Sequence, residues 1–204
     1  MNQFLSIGLL AIFVVWLNYE ISKNNKLSKK GSDAFWNKEA QANQIRKADI
    51  SGLDYISIPV ERLPMEDNPS QAINSYRDTI LSLSKKKILN LSGFSNTELK
   101  LKYGTSNITQ LTEYENNYNL LVTNLQKWGE CLYVNGNHRE ALIVLEVAIA
   151  CRTDVHKTFE LLVKIYRDQN SYDKISLLEE KISSTNIRDK ESLLSRLTDH
   201  SNSR

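Results

Sequence analysis

Apolar residues form one unbroken run at the start of the chain and recur with a helical period from about residue 70 onward. Residues 1–19 carry no charged side chain, and residues 4–17 are apolar except for Ser6 and Gly8. At about 1.5 Å per residue, a helix over residues 1–19 spans roughly 28 Å, close to the ~30 Å hydrocarbon core of a bilayer. The run therefore predicts a single N-terminal transmembrane helix within residues 1–22.

Positive charge follows this run on one side only. Residues 21–48 hold seven Lys and Arg residues against two acidic residues, and seven minus two gives a net charge of +5, whereas residues 1–3 contain no Lys or Arg. Short cytoplasmic flanks of membrane spans carry the excess of Lys and Arg. The asymmetry predicts a cytoplasmic C-terminal domain; binding of anionic lipid by the same stretch is a weaker interpretation.

Two other interpretations of the run are weaker than an anchor. A secretory signal needs a positive n-region and small residues at its cleavage site. Here the n-region has only its terminal amine, and Asn-Tyr-Glu-Ile follows the apolar core at residues 18–21. A buried core helix is disfavoured because a helix of a globular domain keeps a polar face. Trp16 and Tyr19 instead suit the headgroup level of a bilayer.

A polar and basic stretch at residues 23–31 separates the anchor from the rest of the chain. It is typical of a juxtamembrane linker or of a frayed continuation of the anchor helix. Ser32 or Asp33 can then cap a short helix that runs to about Ala48, because both side chains accept hydrogen bonds from free backbone N–H groups.

Residues 50–63 have the composition of an extended segment. Pro59 and the following Pro64 disfavour a helix there. A lone strand has no evident partner, so we expect this segment to lie along the helical domain. A small hairpin or a contact in a dimer is the alternative.

Helical periodicity begins at Ser70, after Pro69, and continues to about residue 91, where Gly93 stops it. A capping box at residues 95–98, Ser-Asn-Thr-Glu, predicts a short helix over residues 96–103. A similar pattern at residues 112–115 predicts the start of a long helix that ends at Asn-Gly, residues 135–136.

Further amphipathic segments follow to the C-terminus. They predict helices over residues 138–152, with Asn137 as cap, and over residues 155–169, 172–183 and 188–198. The body has enough chain for one domain with one core. The predicted boundaries are 1–22 for the anchor, 23–68 for the juxtamembrane helix and extended linker, 69–112 for the first helical part, 113–187 for the helical pairs, and 188–204 for a capping helix and loose tail.

The helical pairs after residue 113 share a set of spacings. Gly129 precedes Ala141 by twelve residues and Ala148 follows it by seven, and residues 136–142 read Gly-Asn-x-x-Glu-Ala-Leu. With an aromatic-rich first helix, these offsets resemble the tetratricopeptide repeat. Small residues at positions 129 and 141 let paired helices approach closely. A second unit begins near His156, 34 residues after the first.

The second unit departs from the repeat at several positions. Val163 stands at the Gly position, Ile175 at the small-residue position and Glu179 at a usually hydrophobic one. In the first unit, Thr153 replaces the proline that often closes a unit. The resemblance covers residues 122–189. About three units are needed for stability, so the helices before and after are expected to complete and cap the stack. More loosely, the chain resembles uncharacterised single-span bacterial membrane proteins that end in such pairs, which implies no activity.

The repeat resemblance implies a concave face, formed by the first helix of each pair, that binds a protein or peptide partner. Carried over by position, the partner-binding residues are Thr123, Gln126, Glu130 and Tyr133 from the first unit and Lys157, Glu160, Lys164 and Arg167 from the second. Their mix of charge and tyrosine suits a polar or charged peptide. The alternative is that they are merely solvated positions of amphipathic helices.

Catalytic and metal chemistry has little support in the sequence. The set Cys131, His138, Cys151 and His156 could enclose zinc, but its spacings do not match the short paired spacings of structural zinc sites. No phosphate-binding loop, dinucleotide fingerprint or nucleophile elbow occurs. We therefore predict no catalytic residues, metal site, cofactor or small-molecule substrate.

These observations predict an all-α protein in which a single transmembrane helix precedes a tetratricopeptide-like domain. The net charge of +2 lies mostly beside the predicted membrane anchor, which argues against a nucleic-acid partner. The predicted function is a membrane-tethered, non-enzymatic adaptor for an unidentified protein or peptide partner. The alternatives are a membrane-bound hydrolase or metal protein that uses the Cys/His set, and an exported protein with a cleaved signal.

Overall fold

A computed structural model describes residues 2–184, 187 and 189–202, including their side chains except at residues 2–12, 25–28, 30 and 198–202. All regular structure in this part of the chain is helical, which confirms the predicted all-α class. The helices are α1 (Asn2–Asn43), α2 (Gln71–Leu83), α3 (Asn96–Tyr103), α4 (Ile108–Val134), α5 (His138–Ala150), α6 (His156–Asp168), α7 (Tyr172–Ser184) and α8 (Lys190–Asn202), with short 3-10 turns at Val60–Arg62 and Thr105–Asn107.

The chain divides into two compact units, although the sequence predicts one core after the anchor. The first comprises Met1–Gly52 and Gly93–Thr109, and the second comprises Leu53–Ser92 and Gln110–Arg204. The division separates α3 from α2, which the predicted segment 69–112 places together.

The first unit is held by contacts between the end of α1 and α3. Glu39 of α1 accepts from the Lys100 ammonium at 2.7 Å and from the Thr97 hydroxyl. Beyond these helices, the Asn107 side-chain amide donates to the carbonyls of Ala48, at 2.8 Å, and Tyr103, at 2.7 Å. Polar bonds therefore supply much of the attachment in this small unit.

The core of the second unit is apolar and continuous from the segment after residue 53 to α8. Trp128 of α4 and Leu145 of α5 are fully buried near its middle. In a closely packed core, a change of even one methylene group alters stability. Its described members come from every helix of the unit and include Ile58, Leu63, Ile73, Ile80, Leu83, Tyr118, Leu121, Leu125, Trp128, Leu132, Leu145, Leu162, Ile165, Ile182, Leu193 and Leu197.

More than half of the predicted anchor, residues 1–22, lies outside the described side chains, which begin at Phe13. Across the part of the chain that the structure describes, no helix combines the length and the apolarity needed to cross a membrane.

Helix α1 runs without a break through residues 23–31 to Asn43. Of the two interpretations offered by the sequence, a continuation of the first helix is the one observed. Ser32 and Asp33 lie inside this helix, so the prediction that one of them caps a new helix is wrong. The helix also ends five residues before the predicted limit at Ala48.

Helix α2 ends at Leu83, about eight residues before the predicted end near residue 91. Ile88, Leu89 and Leu91 are buried as the periodicity requires, but in an irregular segment. The Ile88 carbonyl accepts from the Ile56 N–H at 2.9 Å, and the Leu89 N–H donates to the Tyr114 carbonyl at 3.2 Å. These tertiary bonds satisfy backbone groups that a longer helix would have used.

The segment of residues 50–63 packs against helices of the same chain, as expected. Ile58 and Leu63 are 8% and 6% exposed within the core of the second unit. The described backbone contains no hairpin there, and only Val60–Arg62 forms a 3-10 turn. The apolar side chains of this segment therefore serve the core of the same molecule.

Helix boundaries agree best where a capping side chain is engaged. Helix α3 spans Asn96–Tyr103 as predicted, and Ser95 and Glu98 form both bonds of the capping box. Helix α4 begins at Ile108, so Thr112 is interior and the second predicted box is wrong. The 3-10 turn at Thr105–Asn107 leads directly into α4 and leaves no end for Thr112 to cap.

The paired helices α4 and α5 approach closely at Gly129. A Cβ atom there would lie 2.6 Å from Leu145 Cδ2 and 2.7 Å from Leu145 Cγ. Leu145 therefore occupies the space that the missing side chain leaves. Ala141 of α5 is also fully buried, in agreement with the expectation that positions 129 and 141 must be small.

Candidate partner-binding groove

A groove of about 700 Å³ runs between α4 and α6, with α8 at one edge. Seven of the eight residues predicted to contact a partner line it: Gln126, Glu130, Tyr133, Lys157, Glu160, Lys164 and Arg167. Thr123 is exposed on α4 but does not line the groove. The positions chosen by the repeat spacing are thus brought together, except for the first one.

The apolar pattern of α6 decides which of its side chains reach the groove. Leu162, Ile165 and Tyr166 are buried in the core. Because a helix repeats every 3.6 residues, positions 157 and 164 fall on the side of α6 away from these three residues. Lys157 and Lys164, seven residues apart and both exposed, therefore lie on one face about two turns from each other.

The wall formed by α4 is built around Tyr133. The Lys164 ammonium lies 5.0 Å from the centroid of its ring, and the His138 ring contacts it edge-on with centroids 4.7 Å apart. Its hydroxyl donates to Asp168 Oδ2 at 3.5 Å. Contacts on several sides hold this half-buried ring in place, so the groove has a preformed aromatic surface.

A second polar contact lies one to two turns earlier on α4. The Gln126 amide donates to Glu130 Oε2 at 2.8 Å, and Gln126 is only 7% exposed. A buried amide with an engaged donor is oriented rather than free to rotate. Glu130 itself is exposed at the groove rim.

Charges on the α6 wall differ in whether they are compensated. Lys157 has no ion-pair partner among the described residues, and neither has Lys164. Glu160 pairs with Arg196 of α8, with 3.0 Å between Oε1 and Nη1. The Arg167 guanidinium donates to the neutral Leu197 carbonyl at 2.7 Å, so its charge also lacks a carboxylate.

Other lining residues were not predicted from the sequence. Val134, Leu161, Val163 and Asp168 come from the same two helices, and Leu197 comes from α8. Leu161 and Asp168 each follow a predicted lysine by four residues, so the helical period alone would have found them. Leu197 is 30 residues from Arg167 and could be placed only by the tertiary structure.

The Cys/His set considered for a metal site does not assemble. Within the part of the chain that the structure describes, no three or more His, Cys, Asp or Glu residues lie together in a way that could hold a metal ion. Cys151 is fully buried, and burial raises the pKa of its thiol to about 11. At neutral pH this thiol is protonated and therefore a weak nucleophile.

Compared with known proteins, the chain matches no family model, no curated protein and no solved structure.

Proposed function

We propose that this chain is a membrane-tethered, non-enzymatic adaptor whose tetratricopeptide-like domain binds a protein or peptide segment in the groove between α4 and α6. One observation carries the proposal: seven residues selected by repeat position line a single groove of about 700 Å³. Grooves of this volume with a few oriented polar groups are typical binding sites.

The chemistry of the groove suits a polar segment that carries carboxylates. Lys157, Lys164 and Arg167 present positive charge without a carboxylate partner among the described residues. The ring of Tyr133 and the side chain of Leu161 offer apolar surface between these charges. A partner with acidic side chains beside an apolar one would pair with the first set and pack on the second.

The tether is proposed from the N-terminal run and its flank. Residues 13–17 are large, apolar and 41% to 70% exposed, so the described part of the chain does not cover them. An exposed apolar patch of this kind marks an interaction surface. We propose that a lipid bilayer surrounds these apolar residues and that the basic flank and the domain lie in the cytoplasm. Confinement at a membrane raises the local concentration of a partner, so a weak site can function.

Selection of peptides on the purified chain tests the groove. The full-length protein in detergent is immobilised and probed with a displayed dodecapeptide library, and enriched peptides are measured by fluorescence anisotropy. We expect acidic sequences with micromolar dissociation constants, weakened about tenfold or more in the double variant K157E/K164E. Each exposed ion pair contributes up to about 1 kcal/mol, and 1.4 kcal/mol corresponds to tenfold.

A matched control is available on α5. Arg139 is exposed and lies outside the groove, so R139E changes charge in the same direction without touching the proposed site. R139E is expected to bind the selected peptides as the wild type does. Equal weakening by R139E, or unchanged binding by K157E/K164E, would remove the groove from the proposal.

A further inference from the structure

Helix α8 forms one edge of the groove and makes polar contacts with two of its residues. Arg196 pairs with Glu160 at 3.0 Å, and the Leu197 carbonyl accepts from Arg167 at 2.7 Å. The Leu197 side chain lines the groove while being only 1% exposed. Glu160 and Arg167 are therefore engaged within the molecule before any partner arrives.

Helix α8 is attached through few buried side chains, beside which Leu194 packs partly buried and Arg196 contacts His156 Nδ1 at 2.9 Å. Among its described side chains, only Leu193 and Leu197 are buried. The ion pair that joins it to α6 is partly solvated, with Arg196 47% and Glu160 33% exposed in their side chains. Solvated pairs contribute little, and an element with few buried apolar contacts opens locally before the whole fold does.

We propose that α8 is a displaceable wall of the partner groove, which competes with the partner for Glu160 and Arg167. This inference rests on the proposed function of the groove. When α8 moves off α6, the groove lengthens past Leu197, and one carboxylate and one guanidinium become available to a partner. With α8 attached, a molecule does not offer the full groove to the partner. The apparent dissociation constant for the partner is therefore the intrinsic one divided by the fraction of molecules in which α8 is released.

The test uses the helix itself as probe. A fluorescein-labelled synthetic peptide with the sequence of residues 189–202 is titrated against the full-length chain in detergent. In the wild type, the attached α8 outcompetes the peptide. In R196E the internal ion pair becomes a repulsion between two carboxylates, so we expect the apparent dissociation constant of the wild-type peptide to fall about tenfold.

Charge-swapped variants distinguish the release of α8 from a general loosening of the fold. A chain with E160R and R196E restores the internal pair in reverse order, and it should reject the wild-type peptide again. A peptide carrying R196E should not bind R196E chains, and R139E chains should behave as wild type. Equal peptide binding by wild-type and R196E chains would overturn the proposal.

Hydrogen exchange distinguishes a displaceable α8 from a purely structural cap, because the two predict different exchange rates in R196E. In R196E, amides of residues 190–197 should exchange about tenfold faster while the buried amides of α6 keep their protection. Acceleration of α6 and α7 to the same extent would show that α8 is an integral cap. Neither the titration nor the exchange measurement uses a peptide from the library. Both therefore test the displacement of α8 even if no library peptide binds the groove.

Discussion

Gly93 and Gly104 both adopt a positive φ, at +97° and +83°, but they differ in what surrounds them. A Cβ atom at Gly93 would meet nothing within 4 Å, whereas one at Gly104 would lie 2.5 Å from the Arg46 carbonyl oxygen. A backbone atom cannot rotate away as a side chain can. Conformation alone therefore constrains the first position, while conformation and space both constrain the second.

Replacing each of these glycines by alanine tests the difference between the two positions. G93A should lower the free energy of unfolding by about 1–2 kcal/mol, the penalty for an L-residue in the left-handed region. G104A should lose at least about 2 kcal/mol more, because its backbone, at φ 83° and ψ 149°, lies in a region almost restricted to glycine and because the Arg46 segment must also shift. Urea unfolding of both variants by circular dichroism measures the difference. Similar losses would show that the loop around Arg46 yields easily.

Gly129 offers a second test at the same scale. G129V places a branched side chain against the buried Leu145, so we expect a loss of about 1–3 kcal/mol from overpacking. Gly31 is the matched control, since it is also helical and has no atom within 4 Å of a built Cβ. G31V should be neutral or slightly stabilising, because valine has the better helix propensity. Thermal unfolding compares the two, and equal effects would exclude close packing as the reason for glycine at 129.

At the scale of elements, the contact between α1 and α3 depends on the ionisation of Glu39. Hydrogen bonds from Lys100 and then Thr97 hold the pKa of this carboxyl below its ordinary value of 4.5. The ionised form is thus favoured in the folded state. Its contribution is present above the unfolded pKa and is lost as the pH falls through the lower folded value.

The expected result is a loss of α3 protection below about pH 4.5. Hydrogen exchange of residues 96–103, corrected for the intrinsic pH dependence, should show it in the wild type. E39Q removes the titrating group, so its α3 should show weaker protection near neutral pH and a flatter dependence below pH 4.5. A wild-type profile parallel to that of E39Q would mean that Glu39 does not hold α3.

At the scale of the whole molecule, the proposed anchor determines where the groove operates. The full-length chain should sediment with membranes and resist alkaline extraction, and deletion of residues 2–22 should release it. A C-terminal tag should survive protease in intact cells and be digested after lysis, because we propose that the basic flank keeps the domain in the cytoplasm. A tag digested in intact cells would reverse the topology, and a soluble full-length chain would remove the anchor.

The outcome of the sequence predictions follows the range of the interactions behind them. Both ends of helix α3 agree with the prediction because Ser95, Glu98 and Gly104 act within a few residues of one another. The predicted end of α2 is wrong because hydrogen bonds from Ile56 and to Tyr114 hold the segment that follows the helix. The resemblance to the tetratricopeptide repeat names seven of the residues that line the groove, because it assigns equivalent positions of successive units to one face.

The all-α class, most helices and their buried faces can be predicted from local patterns, because periodicity and capping depend on neighbours along the chain. Only the tertiary structure decided the division into two units, the fit of Leu145 over Gly129, and the place of α8 beside Glu160 and Arg167. Those features join positions from 16 to more than 50 residues apart. No local pattern encodes such pairings, since they depend on how whole helices pack.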